Sequence, residues 1–101
     1  MVTTPEARVK KVVKNTLDLL NIYHFSPAAN GFGRAGIPDI IACSNGRFIA
    51  FECKAGKNTT TALQERELNR IRLAKGLAFV INEDNMHNIE ELLTWSRQDT
   101  H

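Results

Sequence analysis

The feature that most constrains the fold is the dipeptide Asn45-Gly46, which stands between two largely apolar stretches. Asn-Gly accommodates the positive φ angles of a tight two-residue turn, so it predicts a β-hairpin. The stretch before it, residues 39–43, is almost continuously apolar, as is typical of a strand at the centre of a sheet. Residues 47–54 form the second predicted strand. Two antiparallel strands in the middle of the chain are therefore the expected framework.

Helical and strand periodicity predict further elements on both sides of this hairpin. The predicted helices cover residues 4–20, 61–76 and 88–97, and the predicted strands cover residues 21–26, 39–43, 47–54 and 77–81. Thr3 or Thr4 can cap the first helix, and Gly76 is expected to end the second. The order is α-β-β-β-α-β-α, which predicts an α/β fold with a mixed central sheet flanked by helices. Its 101 residues suffice for a single domain, 1–101.

The composition is that of an ordinary globular protein, with 43% hydrophobic and 24% charged residues. No apolar run approaches the length of a membrane span, and no secretion signal is visible near Met1, so we expect a cytoplasmic protein without a membrane partner. Cys43 and Cys53 are therefore expected to be reduced and buried in their strands. The scattered histidines and the absence of a CxxC motif argue against zinc.

Three charged residues lie on the predicted hairpin. Glu52 and Lys54 are two positions apart on a strand, so their side chains face the same way, as in many exposed salt bridges. Asp39, taken alone, would fix a turn after Pro38. Pairing around the turn places Asp39 opposite Glu52, and two facing carboxylates repel each other unless a cation lies between them. Magnesium suits that position, and the backbone carbonyl of Cys53 could supply a third oxygen ligand.

Two polar residues on the predicted helices each have two interpretations. Glu6 continues the inward-facing stripe of the first helix and would point toward the sheet, or it is a first-turn acid that serves the helix dipole or a capping box with Thr3. Gln64 lies on the inward stripe of the second helix and could hold a water or a phosphate oxygen. It also fits a capping box with Thr61, which explains it without any functional role.

Basic residues offer candidate contacts for nucleic acid, although the net charge of +2 is only mildly basic. Lys10, Lys11 and Lys14 cluster on the first helix and could meet phosphate. Arg34 lies in a glycine-rich loop beside Phe32. It is either a solvated loop residue or a phosphate contact, with the aromatic ring available to stack on an unpaired base.

The ordered set Glu6, Gly36-Ile37-Pro38-Asp39, Glu52-Cys53-Lys54 and Gln64 resembles the PD-(D/E)xK nuclease superfamily. Within it, the chain is similar to the VRR-Nuc family, especially its small stand-alone phage and bacterial members, and the likeness covers nearly the whole chain. The resemblance implies a restriction-endonuclease-like core. It implies that Asp39, Glu52 and the Cys53 carbonyl ligate a metal, with Glu6 reaching it directly or through water. Lys54 would orient or activate the attacking water, and Gln64 would be the polar residue of the following helix.

The resemblance further implies an endonuclease that depends on Mg²⁺ or Mn²⁺ and cuts branched DNA, such as Holliday junctions, as a homodimer. Two other functions remain open at this point. One is a non-catalytic nucleic-acid-binding module with the same fold, although such a module has no need of two facing acids. The other is a structural or subunit-interaction protein that uses the last helix, with Trp95, as its contact.

Overall fold

The computed structural model describes residues 3–28 and 33–97, with side chains as far as residue 94. The predicted stacking residue Phe32 and the side chain of Trp95 lie outside this description. The elements, in chain order, are α1 (Pro5–Leu19), β1 (Tyr23–Phe25), β2 (Ile40–Ser44), β3 (Arg47–Cys53), α2 (Ala62–Leu73), β4 (Leu77–Ile81) and α3 (Ile89–Arg97). The predicted α-β-β-β-α-β-α order and the α/β class are therefore confirmed.

The four strands form one mixed sheet in the order β1-β2-β3-β4. β1 and β3 both run antiparallel to β2, whereas β4 runs parallel to β3. At the predicted hairpin, Asn45 and Gly46 have φ angles of 56° and 76°, which an Asn-Gly turn readily adopts. The turn pairs Ser44 with Arg47, and the register runs on to Ile40 opposite Phe51. This register determines which residues meet at the far end of the hairpin.

One face of the sheet is covered by α1 and α3 and carries the main hydrophobic core. Each fully buried aliphatic or aromatic side chain there stabilises the fold by roughly 1.5–3 kcal/mol. The largest buried side chains of this core are Val9, Val13 and Leu17 from α1, Ile40, Ile49, Phe51 and Ile81 from the sheet, and Ile89 and Leu93 from α3. The apolar stripe predicted for α1 is thus the stripe that packs on the sheet.

The opposite face is covered by α2, and its apolar cluster is small. Ala50, Leu68 and Ala78 are its buried members. The two buried acids among the described residues, Glu52 and Glu67, lie on this side. The α2 side therefore combines a thin apolar contact with buried charge. No helix in the described part of the chain is long and apolar enough to cross a membrane.

α2 ends at Leu73, three residues before Gly76, where the helix was predicted to end. Lys75, not Gly76, adopts the left-handed conformation after the helix, with φ of 74°. The N–H of Gly76 then donates to the carbonyl of Ile71 at 2.9 Å, as in a Schellman motif. Gly76 is required for a different reason, because a Cβ there would lie 2.8 Å from the Ile71 side chain.

The two cysteines are free thiols, and they differ in burial: Cys53 is buried and Cys43 is exposed. The expectation that both are buried is therefore wrong for Cys43. This residue pairs with Tyr23 of the edge strand β1, and Tyr23 is itself 71% exposed. The helix on that face, α2, packs over β3 and β4. Strand periodicity alone does not indicate how far a covering helix extends.

Candidate active site

The acids predicted to face each other meet where β2 begins and β3 ends. The register that pairs Ile40 with Phe51 brings Asp39 beside Glu52. Oδ2 of Asp39 accepts the backbone N–H of Cys53 at 2.8 Å, which fixes the carboxylate against the end of β3. Glu52 is 2% exposed, and its Oε1 has no hydrogen-bond partner among the described residues. Such an oxygen is costly to bury, so it indicates a place for a group that the chain does not itself supply.

The environment of Glu52 raises its pKa from an ordinary 4.5 to about 8. Burial is the largest cause, because it disfavours the charged carboxylate. Asp39 raises the pKa further, because the protonated carboxyl of Glu52 can donate a hydrogen bond to it and because its negative charge repels a second carboxylate, while the Lys54 ammonium acts in the opposite direction. A divalent cation between the two acids would remove their repulsion and favour the ionised form.

Lys54 lies on the same face as Glu52, as the two-residue spacing predicts. Its Nζ is 3.9 Å from Oε2 of Glu52, and its side chain is 12% exposed. Its backbone N–H donates to the carbonyl of Ile81 at 2.9 Å, so the residue continues the pairing of β3 with β4. A fixed, largely buried ammonium can stabilise negative charge that develops on a neighbouring oxygen.

Gln64 forms the predicted capping box and also contacts Glu52. Its side-chain Oε1 accepts the backbone N–H of Thr61 at 2.9 Å. Its backbone N–H donates to Thr61 Oγ1 at 3.2 Å, which completes the capping box. Its Nε2 also donates to Oε2 of Glu52 at 3.2 Å. The two ends of one amide thus join the start of α2 to the buried acid.

Glu6 lies near these groups without the close contacts that Gln64 makes. It is partly exposed and borders a cavity of about 560 Å³ together with Gly56 and Glu83. Its charge contributes to the raised pKa of Glu52. The N-cap of α1 is Thr4, whose Oγ1 accepts the N–H of Ala7, so a capping box based on Thr3 does not explain Glu6.

The oxygen atoms near Asp39 and Glu52 are the donors available to a metal ion. Among residues 3–28 and 33–97, no group of three or more His, Cys, Asp and Glu side chains could hold an ion. Asp39 and Glu52 could supply two side-chain ligands, a number that suits Mg²⁺, which usually keeps several waters. Burial raises the pKa of the Cys53 thiol to about 12, so the thiol stays protonated and only the backbone carbonyl of that residue can serve as a ligand. Hard oxygen donors suit Mg²⁺ or Mn²⁺, whereas zinc sites in proteins usually include His or Cys ligands.

A cleft of about 460 Å³ begins at Asp39 and is lined by Lys10, Lys14 and Arg34. Nζ of Lys10 lies 3.3 Å from Oδ1 of Asp39. Burial acts to lower the pKa of Lys10, but the adjacent Asp39 carboxylate outweighs it and the pKa is raised. Lys11 is exposed on α1 and is not among the described residues that line the cleft.

Glu67, which is 3% exposed, was not predicted as a site residue. Its Oε1 accepts a hydrogen bond from Nε of Arg34 at 2.8 Å. Arg70 and Arg66 lie 3.7 and 4.0 Å from its Oε2. A signal is present, because Glu67 follows Gln64 by one helical turn on the inward side of α2. Arg34 is therefore an ion-paired residue, although its side chain is 61% exposed.

A mixed sheet between helices, with one acid before a strand and a Glu-x-Lys pair at the end of its neighbour, defines a nuclease of the PD-(D/E)xK class. Residues 25–81, just over half of the chain, match the family model described as archaeal Holliday junction resolvase (Hjc). The chain belongs to this family. The matched segment contains Asp39, Glu52, Lys54 and Gln64, whereas Glu6 precedes it.

A solved structure described as a VRR_NUC domain is similar to this chain, with a TM-score of 0.71 and 22% sequence identity. The match covers 88% of this chain and 97% of that chain. The resemblance predicted from the sequence is therefore confirmed, and the structural likeness establishes the restriction-endonuclease-like fold. The curated proteins contain no significant match.

Proposed function

We propose that this chain, with residues 1–101 as one nuclease domain, is a metal-dependent endonuclease that hydrolyses phosphodiester bonds in branched DNA. Membership of the Hjc family supports a nuclease, and the description of that family as a Holliday junction resolvase supports a four-way junction as substrate. The observation that carries the proposal is the facing pair Asp39 and Glu52. Within the described residues, Oε1 of the buried Glu52 has no hydrogen-bond partner.

Asp39 and Glu52 would hold Mg²⁺ or Mn²⁺, with the Cys53 carbonyl as a further ligand and with Glu6 reaching the ion through a water. When bound, the ion would polarise the scissile phosphate and lower the pKa of a bound water. The raised pKa of Glu52 supports this assignment, because a cation at this point would compensate a carboxylate that is otherwise costly to ionise.

The chain's own residues would perform the remaining tasks. Lys54, fixed 3.9 Å from Glu52, would orient the attacking water and stabilise charge on the phosphate oxygens. Gln64 would hold the Glu52 carboxylate in one orientation, since the opposite end of its amide is bound to Thr61. The burial of Glu52 and Lys54 would limit access of bulk water and strengthen these electrostatic contacts.

Phosphate groups of the DNA would lie in the cleft beside Asp39, in contact with Lys10, Lys14 and Arg34. Lys11 would add charge on the exposed side of α1. Because contacts of this kind release counterions, binding would weaken as salt increases. A two-fold dimer would present two such sites, as symmetric cleavage of two strands requires. Light scattering at micromolar concentration tests this, and a monomeric mass would contradict the dimer.

The decisive experiment is cleavage of end-labelled DNA by the purified chain. The substrates are a four-way junction, a flap, a duplex and a single strand, each with Mg²⁺, Mn²⁺ or EDTA. Asp39→Ala is expected to reduce cleavage by at least about 100-fold, because the electrostatic stabilisation at the phosphate is lost, while junction binding stays within a few-fold of wild type. Lys54→Ala is expected to lose rate more than affinity for Mn²⁺. The control variant is Asp84→Ala, an exposed acid outside the site.

Three outcomes would change the assignment. Unchanged cleavage by Asp39→Ala would exclude this residue from the reaction. Equal losses of metal affinity in Asp39→Ala and Lys54→Ala would exclude the separate role given to the lysine. Junction binding without cleavage under any metal would support the non-catalytic module instead.

A further inference from the structure

The segment that leads into β2 is held against α2 at two points. The first is Gly36, which has a φ of 87°, and a Cβ there would lie 2.5 Å from the carbonyl oxygen of Leu63. The backbone therefore touches the first turn of α2, and only glycine leaves the necessary space. The second point is Arg34, whose Nε donates to Oε1 of Glu67 at 2.8 Å. Glu67 lies one helical turn beyond Leu63, so the two points of contact lie on successive turns of α2.

The ion pair differs from an ordinary surface salt bridge, because its acid is buried. Glu67 is 3% exposed, and Oε1 is its hydrogen-bonded oxygen, whereas Oε2 has no hydrogen-bond partner in the described part of the chain. Arg70 and Arg66 are more distant, at 3.7 and 4.0 Å. Loss of the Arg34 contact would leave a buried carboxylate poorly compensated, so this contact holds the segment firmly.

The same helix is connected to both acids of the candidate site, to Glu52 by a direct contact and to Asp39 through the chain. It reaches Glu52 directly, since Gln64 Nε2 donates to Oε2 of that residue at 3.2 Å. It reaches Asp39 through the anchored segment, in which Ile37 and the buried Pro38 are the only residues between Gly36 and the acid. Proline restricts the backbone, so little freedom remains in this connection. A shift of the segment along α2 would therefore move one acid relative to the other.

We infer that Arg34 and Glu67 are positioning residues, whose ion pair holds the segment before β2 on α2 and thereby sets the place of Asp39. Arg34 then acts through the carboxylate pair in addition to any contact with phosphate. The inference rests on the proposed function for its significance, because it treats that pair as the reaction centre. Its structural content can be tested without metal and without DNA.

The test uses the hydrogen bond from the Cys53 N–H to Oδ2 of Asp39, 2.8 Å long, as a reporter of the position of the acid. Amide hydrogen exchange of Cys53 is measured by NMR in the metal-free full chain. Arg34→Ala is expected to accelerate this exchange by about ten-fold, since local opening would become easier. Arg70→Ala is the matched control, because it removes a charge from the same acid but does not touch the segment. It is expected to stay within about two-fold of wild type.

Calorimetric titration with Mn²⁺ gives a second measurement that does not depend on activity. Arg34→Ala and Glu67→Gln are each expected to weaken Mn²⁺ binding by about ten-fold, and the double variant by no more than about two-fold beyond either, because the two residues act as one unit. Arg34→Lys keeps the charge without the same donor geometry and is expected to restore part of the loss in both measurements.

Two results would overturn the positioning role of Arg34, and a third would overturn only the proposed function. If Arg34→Ala weakens junction binding but leaves Cys53 exchange and Mn²⁺ affinity unchanged, Arg34 is a phosphate contact and does not position Asp39. If Arg70→Ala has the same effect as Arg34→Ala, the effect is one of general charge. If Asp39→Ala cuts normally while Arg34→Ala still accelerates Cys53 exchange, the proposed function fails and the positioning role stands.

Discussion

Phe51 and Glu52 are neighbours on β3 and almost equally buried, at 0% and 2% exposure, yet they point to opposite faces of the sheet. Phe51 packs in the core beneath α1 and α3, and its ring centroid is 5.8 Å from that of Phe79. Glu52 faces α2 and retains an oxygen without a hydrogen bond in the described structure. Burial of the first stabilises the fold, whereas burial of the second costs free energy. The pleat of one strand thus separates stability from site chemistry.

The largest expected effect tests the stabilising face. Phe51→Ala should lower the free energy of unfolding by about 3–5 kcal/mol, because it removes a fully buried ring and leaves a cavity. Urea denaturation of the metal-free protein measures this loss. Phe48→Ala on the same strand is the control, since Phe48 is 47% exposed, and its loss should be below about 1 kcal/mol. Similar losses in the two variants would contradict the location of the core.

The next prediction has the opposite sign. Glu52→Gln should stabilise the metal-free protein by roughly 1–3 kcal/mol at pH 9, because a neutral amide replaces a carboxylate that is buried beside Asp39. Cleavage should be lost at the same time. Thermal and urea unfolding at pH 5 and pH 9 would show whether the gain exists, and a destabilised variant at pH 9 would remove the distinction between the faces.

The pH dependence of that gain follows from the pKa of Glu52, which is about 8 in the folded chain against an ordinary 4.5. Between these values the folded state holds the proton more tightly than the unfolded state, so wild-type stability falls as the pH rises. Below about pH 4.5 Glu52 is protonated in both states, so the free-energy cost of burying its charge is absent. Mn²⁺ should offset it in the wild type and have little effect on Glu52→Gln, which a melting-temperature titration would detect.

The smallest expected effect concerns the N-caps of α1 and α2, the helices that cover the two faces of the sheet. Thr4→Ala and Thr61→Ala should each cost about 1 kcal/mol, because each removes an N-cap acceptor. Only Thr61→Ala should also slow cleavage, since it loosens the box that holds Gln64 against Glu52. Single-turnover rates of the two variants separate these effects, and equal rates would mean that the box has no link to the site.

The site could be predicted from the sequence where local rules apply. Asn45 and Gly46 set a tight turn, and pairing counted outward from that turn brings Asp39 opposite Glu52. Alternation along β3 then places Lys54 on the same face as Glu52. Each step stays within one hairpin, so a single sequence was sufficient to predict that the two acids and the lysine lie together.

Contacts between distant segments could not be predicted in the same way. Arg34 and Glu67 are 33 positions apart, and no local pattern joins them. The exposure of Cys43 likewise depends on which strands α2 covers, which is a property of packing rather than of the strand itself. Lys10 was expected to face phosphate, and its ion pair with Asp39 follows only from the placement of α1 beside the sheet.

The amide of Gln64 has a consequence for which substitutions the chain can tolerate. A capping box ordinarily accepts glutamate as well as glutamine at this position. Here glutamate would cap α2 equally well but would place another carboxylate against Glu52, 12 positions earlier in the chain. The exchange of glutamine for glutamate, which is neutral at most helix starts, is therefore unfavourable at the start of α2. Variants selected for the contact with Glu52 would keep glutamine at position 64, although the capping box alone would permit either residue.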